Sequence, residues 1–230
     1  MATKTINKLE ALGLIVGPVL ALLFFLLEPG GILIDPAEIG DAVATITALA
    51  SNRELAHISA LLVPPGLVMM LFGLAGINRV IQGETMAAAL SRLSILCVMI
   101  GATGWILTAG LTHVLAQTSI DIEQGIQQAI PIYRVDSAIT LLSGVVVSTG
   151  VLAFSLGMSA IHPPGFSRTA ALVIAAVSLL ALVTFIIGQT GASPAMISVA
   201  RACYFPWVAW FVMLGVKFLK GSALPLTMGR

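Results

Sequence analysis

The chain has 230 residues, 58% of them hydrophobic and 9% charged, and a formal net charge of +1; its mean hydropathy is +1.06. A water-soluble domain carries roughly 25% charged residues, so this composition excludes a soluble globule and leaves a bundle in lipid whose few charges serve its ends and loops. The small net charge gives no electrostatic footprint for nucleic acid, and a single domain accommodates the length.

Lys4 and Lys8 precede an apolar run from Ala11 to Leu27 that closes in Glu28-Pro29-Gly30-Gly31. The run is longer than the apolar region of a signal peptide and has no small-x-small cleavage site, so it reads as an uncleaved first span. Six such runs occur, at approximately 9–27, 56–77, 93–116, 137–160, 169–188 and 197–219. Each is close to the roughly 20 residues that cross the hydrocarbon at about 1.5 Å per residue. All are expected to be helical, because an open strand in lipid leaves backbone groups unpaired. The expected fold is therefore an all-α, single-domain bundle of six transmembrane helices.

Two connections are longer than the rest. In the first, Asp35-Pro36-Ala37-Glu38 reads as a helix start, with Asp35 as cap, Pro36 in the first turn and Glu38 reaching back. Ile39, Val43, Ile46 and Ala50 then recur at helical spacing. In the second, Ile122, Ile126, Ile130 and Tyr133 share one face, while Asp121, Glu123, Gln127 and Gln128 are polar. Two short amphipathic extracytoplasmic helices are expected here, as simple covering, a lid or a partner surface.

Charge sets the orientation. Lys4, Lys8, Arg79, Arg92, Arg168, Lys217, Lys220 and Arg230 fall on the side of the termini, against Arg53, Arg134 and Arg201 on the other. The positive-inside rule then places both termini in the cytoplasm. Most acidic residues fall on the opposite side, Glu28, Asp35, Glu38, Asp41, Glu54, Asp121, Glu123 and Asp136 among them.

Helices in lipid associate through small residues that let backbones approach. Ser94, Cys97, Gly101, Gly104 and Thr108 form such a stripe on the third span, and Ser143, Gly144, Val147, Ser148, Gly150 and Ser155 offer a matching one on the fourth. Pro18, Pro64-Pro65 and Pro206 interrupt spans one, two and six. Each removes a backbone donor and bends its helix, and the last two fall in the outer half, where a splayed pair opens a cavity. Cys97 and Cys203 fall in opposite halves of the bilayer, so no disulfide is expected between them.

Ionisable groups within spans are costly and mark candidate sites. His57, His113 and Arg201 each lie about one turn in from the outer end, with Glu28 closing the first span and Tyr204 and Trp207 nearby. Three arrangements account for them. In one, the groups are interfacial and Arg201 pairs with Glu28 or Glu54. In another, His57 and His113 face each other and ligate a haem b iron or another metal, or flank a quinone. In the third, carboxylate and arginine recognise a polar or anionic ligand head group. No Walker loop, dinucleotide fingerprint, HExxH or nucleophile elbow is present in the sequence. No span carries Asp or Glu near its midpoint, which argues against ion-coupled transport.

The favoured reading is a non-enzymatic accessory or subunit protein that binds a small hydrophobic or amphiphilic ligand near its outer face. Its partners would be the lipid bilayer and either another membrane protein or a second copy. A membrane redox protein and a small-molecule transporter are the alternatives. The short inner loops, the long first outer loop and the Leu27-Glu28-Pro29-Gly30-Gly31 end of span one resemble a broad group of poorly characterised bacterial integral membrane proteins. That resemblance covers most of the chain by topology and implies a small inner-membrane bundle without a stated activity. Members often carry histidine where Glu28 stands here, so it implies no shared metal site.

Overall fold

A computed structural model describes residues 6–118, 123–191 and 193–221. Its helices are α1 (Lys8–Leu27), α2 (Ala42–Ser51), α3 (Arg53–Val80), α4 (Met86–Leu115), α5 (Glu123–Ile161), α6 (Phe166–Gln189), α7 (Pro194–Ala202) and α8 (Tyr204–Leu219). Six stretches are long and apolar enough to cross a membrane, α7 and α8 counting together as Pro194–Leu219. The chain is a multi-pass membrane protein of the all-α class. Leu61, Ile100, Leu107 and Leu142 remain exposed along the sides of the bundle, as expected for surface that meets lipid.

Proline chemistry explains the one broken span. Pro206 has no N–H to offer the carbonyl of Ala202, so the ladder is interrupted where α7 gives way to α8 at Cys203. In α1 and α3, by contrast, Pro18 and Pro64-Pro65 sit inside continuous helices.

Two expectations for the long connections need correction. The first amphipathic helix begins at Ala42, not near Asp35, and Asp41 caps it by accepting from the Ala44 N–H at 2.9 Å. Gly40, at φ 96°, sits just before that cap and separates it from the Asp35-Pro36-Ala37-Glu38 segment. Asp35 (φ 42°) accepts instead from the Asn52 side chain at 2.6 Å, pinning the loop to the far end of α2. The second amphipathic segment is no separate helix. From Glu123 onward it is the opening of α5, which runs 39 residues without interruption; Asp121 and Ile122 lie outside the described residues, as does the Glu123 side chain. Nothing between Tyr133 and Ser137 stops a helix. Ala129, Ile130 and Tyr133 pack against Ile46 and Leu49 of α2 and Leu115 of α4, so this overhang has its own small core.

Close packing of small residues joins the spans. The expected seam of α4 lies on α5: a Cβ at Gly101 would stand 2.9 Å from the Ser143 carbonyl, and one at Gly150 would stand 2.7 Å from Val98. A second seam joins α1 to α3. Gly17 and Gly66 face each other so closely that a Cβ on either would come within 2.7–2.8 Å of the other's carbonyl oxygen. Gly215 brings α8 against α1 in the same way, 2.7 Å from the Ala11 carbonyl. Both cysteines are free.

The two ends of the bundle differ in charge. One carries Lys8, Arg79, Arg92, Arg168, Lys217 and Lys220 against Glu10 and Glu84; the other carries Glu28, Asp35, Glu38, Asp41, Glu54 and Asp136 against Arg53, Arg134 and Arg201. We call them the basic and the acidic end.

Candidate ligand cavity at the acidic end

A cavity of about 220 Å³ opens between α1, α3, α4, α5 and the broken α7–α8 span. Residues flanking the prolines line it: Val63 just before Pro64-Pro65, and Tyr204 and Trp207 on either side of Pro206. The connection from α1 to α2 adds Ala37, Glu38 and Ile39 to the wall.

The walls are largely aromatic, with Tyr204 at their hub. Its ring packs against Phe25, Trp105, Phe185 and Trp207 at centroid distances of 5.6, 5.5, 6.3 and 5.4 Å. The Trp105 indole N–H donates to the Thr140 carbonyl at 3.3 Å, the partner that a tryptophan at this depth requires.

Four of the six candidate residues line the cavity: Glu28, Arg201, Tyr204 and Trp207. Arg201 does not form the ion pair expected with Glu28 or Glu54. Among the described residues the only ion pair joins Arg79 to Glu10 at the basic end. Arg201 instead lies over the Phe25 ring at 5.8 Å, where the π face attracts the guanidinium. Glu28 accepts from the Thr112 hydroxyl at 3.1 Å. Removal from water pushes the Glu28 carboxyl above its ordinary range, and the Thr112 hydroxyl and the charge of Arg201 oppose that rise.

His57 and His113 do meet, but outside the cavity wall. Their rings stack 4.7 Å apart and their Nδ1 atoms stand 2.6 Å apart. One Nδ1 must donate and the other accept, so at least one imidazole is neutral. Metal–nitrogen bonds of about 2.0–2.1 Å hold two ligating nitrogens roughly 3 Å or more apart, so a metal bridging these two atoms requires the rings to separate. Arg53 adds a further contact, its Nε 3.4 Å from His57 Nε2. No group of three or more His, Cys, Asp or Glu among the described residues is arranged to hold a metal ion.

Asp136, which a sequence reading assigns to a loop, joins the cavity because α5 begins so early. Its Oδ1 is buried with no hydrogen-bond partner among the described residues, and the same is true of Ser59 Oγ and Trp207 Nε1, whose side chains also line the cavity. Ser155 Oγ and Trp210 Nε1 share that condition but belong to side chains outside the wall. Buried polar groups in folded proteins are nearly always paired, so three unpaired groups in one cavity wall distinguish this place from the rest of the bundle.

No family model, curated protein or solved structure matches the chain. The class defined by fold and cavity is a multi-pass helical membrane bundle with an aromatic, partly charged cavity at one end.

Proposed function

We propose that the protein binds a small amphiphilic molecule in the cavity at its acidic end, as a non-enzymatic membrane subunit or accessory protein. The observation that carries this reading is the concentration of unpartnered buried polar atoms, on Ser59, Asp136 and Trp207, in a wall otherwise made of rings and aliphatic chains. Ligand sites have this composition, apolar surface with a few polar groups that fix orientation. An occupant would supply the missing hydrogen bonds and cover the apolar wall. The positive-inside bias supports an extracytoplasmic mouth in a prokaryotic plasma membrane, with both termini cytoplasmic.

Mass spectrometry of the intact protein, released from a mild detergent, tests the reading. A bound small molecule is expected in the wild type and is expected to be lost when Ala109, a buried wall residue, is enlarged to Phe. A wild-type spectrum without adduct, together with no change in tryptophan fluorescence on adding amphiphiles, would refute it. Trp105 and Trp207 line the cavity, so an occupant should alter their emission.

A further inference from the structure

We infer that the cavity selects a protonated amine carried on a small apolar body. The inference rests on the cavity being a ligand site and adds the chemistry of its occupant.

Charge is the first consideration. Three carboxylates line the cavity, Glu28, Glu38 and Asp136, against the single guanidinium of Arg201. That guanidinium already lies over the Phe25 ring, and Glu28 already receives the Thr112 hydroxyl. Asp136 is different, since it is half-buried and its Oδ1 is buried without a hydrogen-bond partner among the described residues. An ionised carboxylate in such a place needs a donor, and a cationic donor serves best because charge-assisted hydrogen bonds are roughly twice as strong as neutral ones. An ammonium offers up to three N–H groups, so it can donate to Asp136 and keep further donors for other acceptors of the wall.

The aromatic wall makes the second, independent contribution. Trp105, Tyr204 and Trp207 surround the same space, and the faces of such rings attract cations, with ammonium ligands a recurrent case. The same wall accepts the apolar body of the molecule. A carboxylate or phosphate head group would have Arg201 as its one cation and would face three acids of like sign. The acidic end as a whole points the same way: Glu28, Asp35, Glu38, Asp41, Glu54 and Asp136 outnumber Arg53, Arg134 and Arg201 there, and a net negative field raises the local concentration of cations.

The test is a titration of the full-length protein in lipid nanodiscs made without amine head groups, followed by tryptophan fluorescence. Three probes share one skeleton: 2-phenylethylamine as the cation, 2-phenylethanol as the neutral form and 3-phenylpropionate as the anion. The amine is expected to bind at least about tenfold more tightly than the alcohol, and the anion more weakly than either. In Asp136→Asn, a substitution that keeps shape and volume, the amine should lose its advantage, the ratio falling to within about twofold. Glu28→Gln should reduce the ratio less, since Thr112 already satisfies that carboxylate in part. Equal binding of amine and alcohol, or tighter binding of the anion, overturns the amine while leaving a ligand site in place. Failure of all three probes to bind overturns both readings. An amine preference that persists unchanged in Asp136→Asn and Glu28→Gln also overturns it, because the selectivity would then arise elsewhere. Discs supplemented with phosphatidylethanolamine separate the two sources of such a head group. A weakened amine titration supports a lipid occupant, and an unchanged one supports a free amine.

Discussion

The two ends of this bundle treat their carboxylates in opposite ways. At the basic end Glu10 is only 8% exposed, yet every demand it makes is met. Arg79 Nη2 reaches both of its oxygens at 2.9–3.0 Å, and the Asn7 backbone N–H completes a capping box at 2.8 Å. Gly76 leaves the room that this carboxylate occupies, since a Cβ there would stand 2.6 Å from Glu10 Cδ. At the acidic end Asp136 lacks a partner for one oxygen, and the nearby Arg201 leans on a ring. A satisfied buried charge braces a fold, whereas an unsatisfied one lowers its stability and is retained where function needs it. The basic end is thus the brace and the acidic end the site.

Substitutions can break or sharpen that contrast. The largest effect is expected at the α1–α3 seam, where Gly17→Val forces a side chain into the Gly66 carbonyl. Thermal unfolding in detergent should show a loss of about 3 kcal/mol or more. Gly110, on an open stretch of α4 with nothing within 4 Å of its would-be Cβ, supplies the control. Gly110→Ala should be neutral or stabilise by up to about 1 kcal/mol.

A smaller effect belongs to the histidine pair. His57→Ala removes one partner of the 2.6 Å contact with His113 and should cost about 1 kcal/mol, as one hydrogen bond does. Because neither ring lines the cavity, binding of a cavity ligand should change less than about twofold.

A smaller effect still is expected from pH. His162, in the connection from α5 to α6, is buried, and burial holds its imidazole below the ordinary value; the hydrogen bond to the Met158 carbonyl opposes this shift and the charge of Lys217 adds to it. Below about pH 6.5 the unfolded chain therefore takes up the proton more readily than the folded one. The stability this site contributes is complete above that value and is lost as pH falls below it. His162→Gln should flatten this part of a melting-temperature profile. The least perturbing substitution is Trp207→Phe. It deletes an indole N–H that has no partner among the described residues while keeping a ring in the wall, so stability should change by under about 1 kcal/mol and only ligand binding should respond.

The sequence reveals the bundle far better than the site, and the reason is physical. Spans are set by the length of apolar runs, and all six emerge, four of them within about three residues of their helices at both ends; α4 and α5 begin 7 and 14 residues before their runs. The Ser94–Thr108 stripe is likewise a local pattern, and its contact with α5 follows from it. The α1–α3 seam carries the same kind of local signal, with Gly13 and Gly17 four residues apart on the face that meets α3. The cavity depends on relations that no local pattern encodes. Asp136 belongs to it only because α5 starts about four turns before its apolar run, and the polar Gln127, Gln128 and Arg134 make that opening look like a separate amphipathic helix outside the span. His57 and His113 illustrate the converse: their equal depth was legible, but their direct contact and their place outside the cavity required the helix rotations.

Paired thermal unfolding of Glu10→Gln and Asp136→Asn, measured without added ligand under one set of conditions, tests the contrast between brace and site most directly. Both variants exchange a carboxylate for an amide of the same shape. Glu10→Gln should lower stability by about 2 kcal/mol, the scale of hydrogen bonds to a charged group, whereas Asp136→Asn should leave it unchanged or raise it. A loss in Asp136→Asn as large as that in Glu10→Gln would make Asp136 a structural member like Glu10, and would contradict the division of the molecule into a braced end and a binding end.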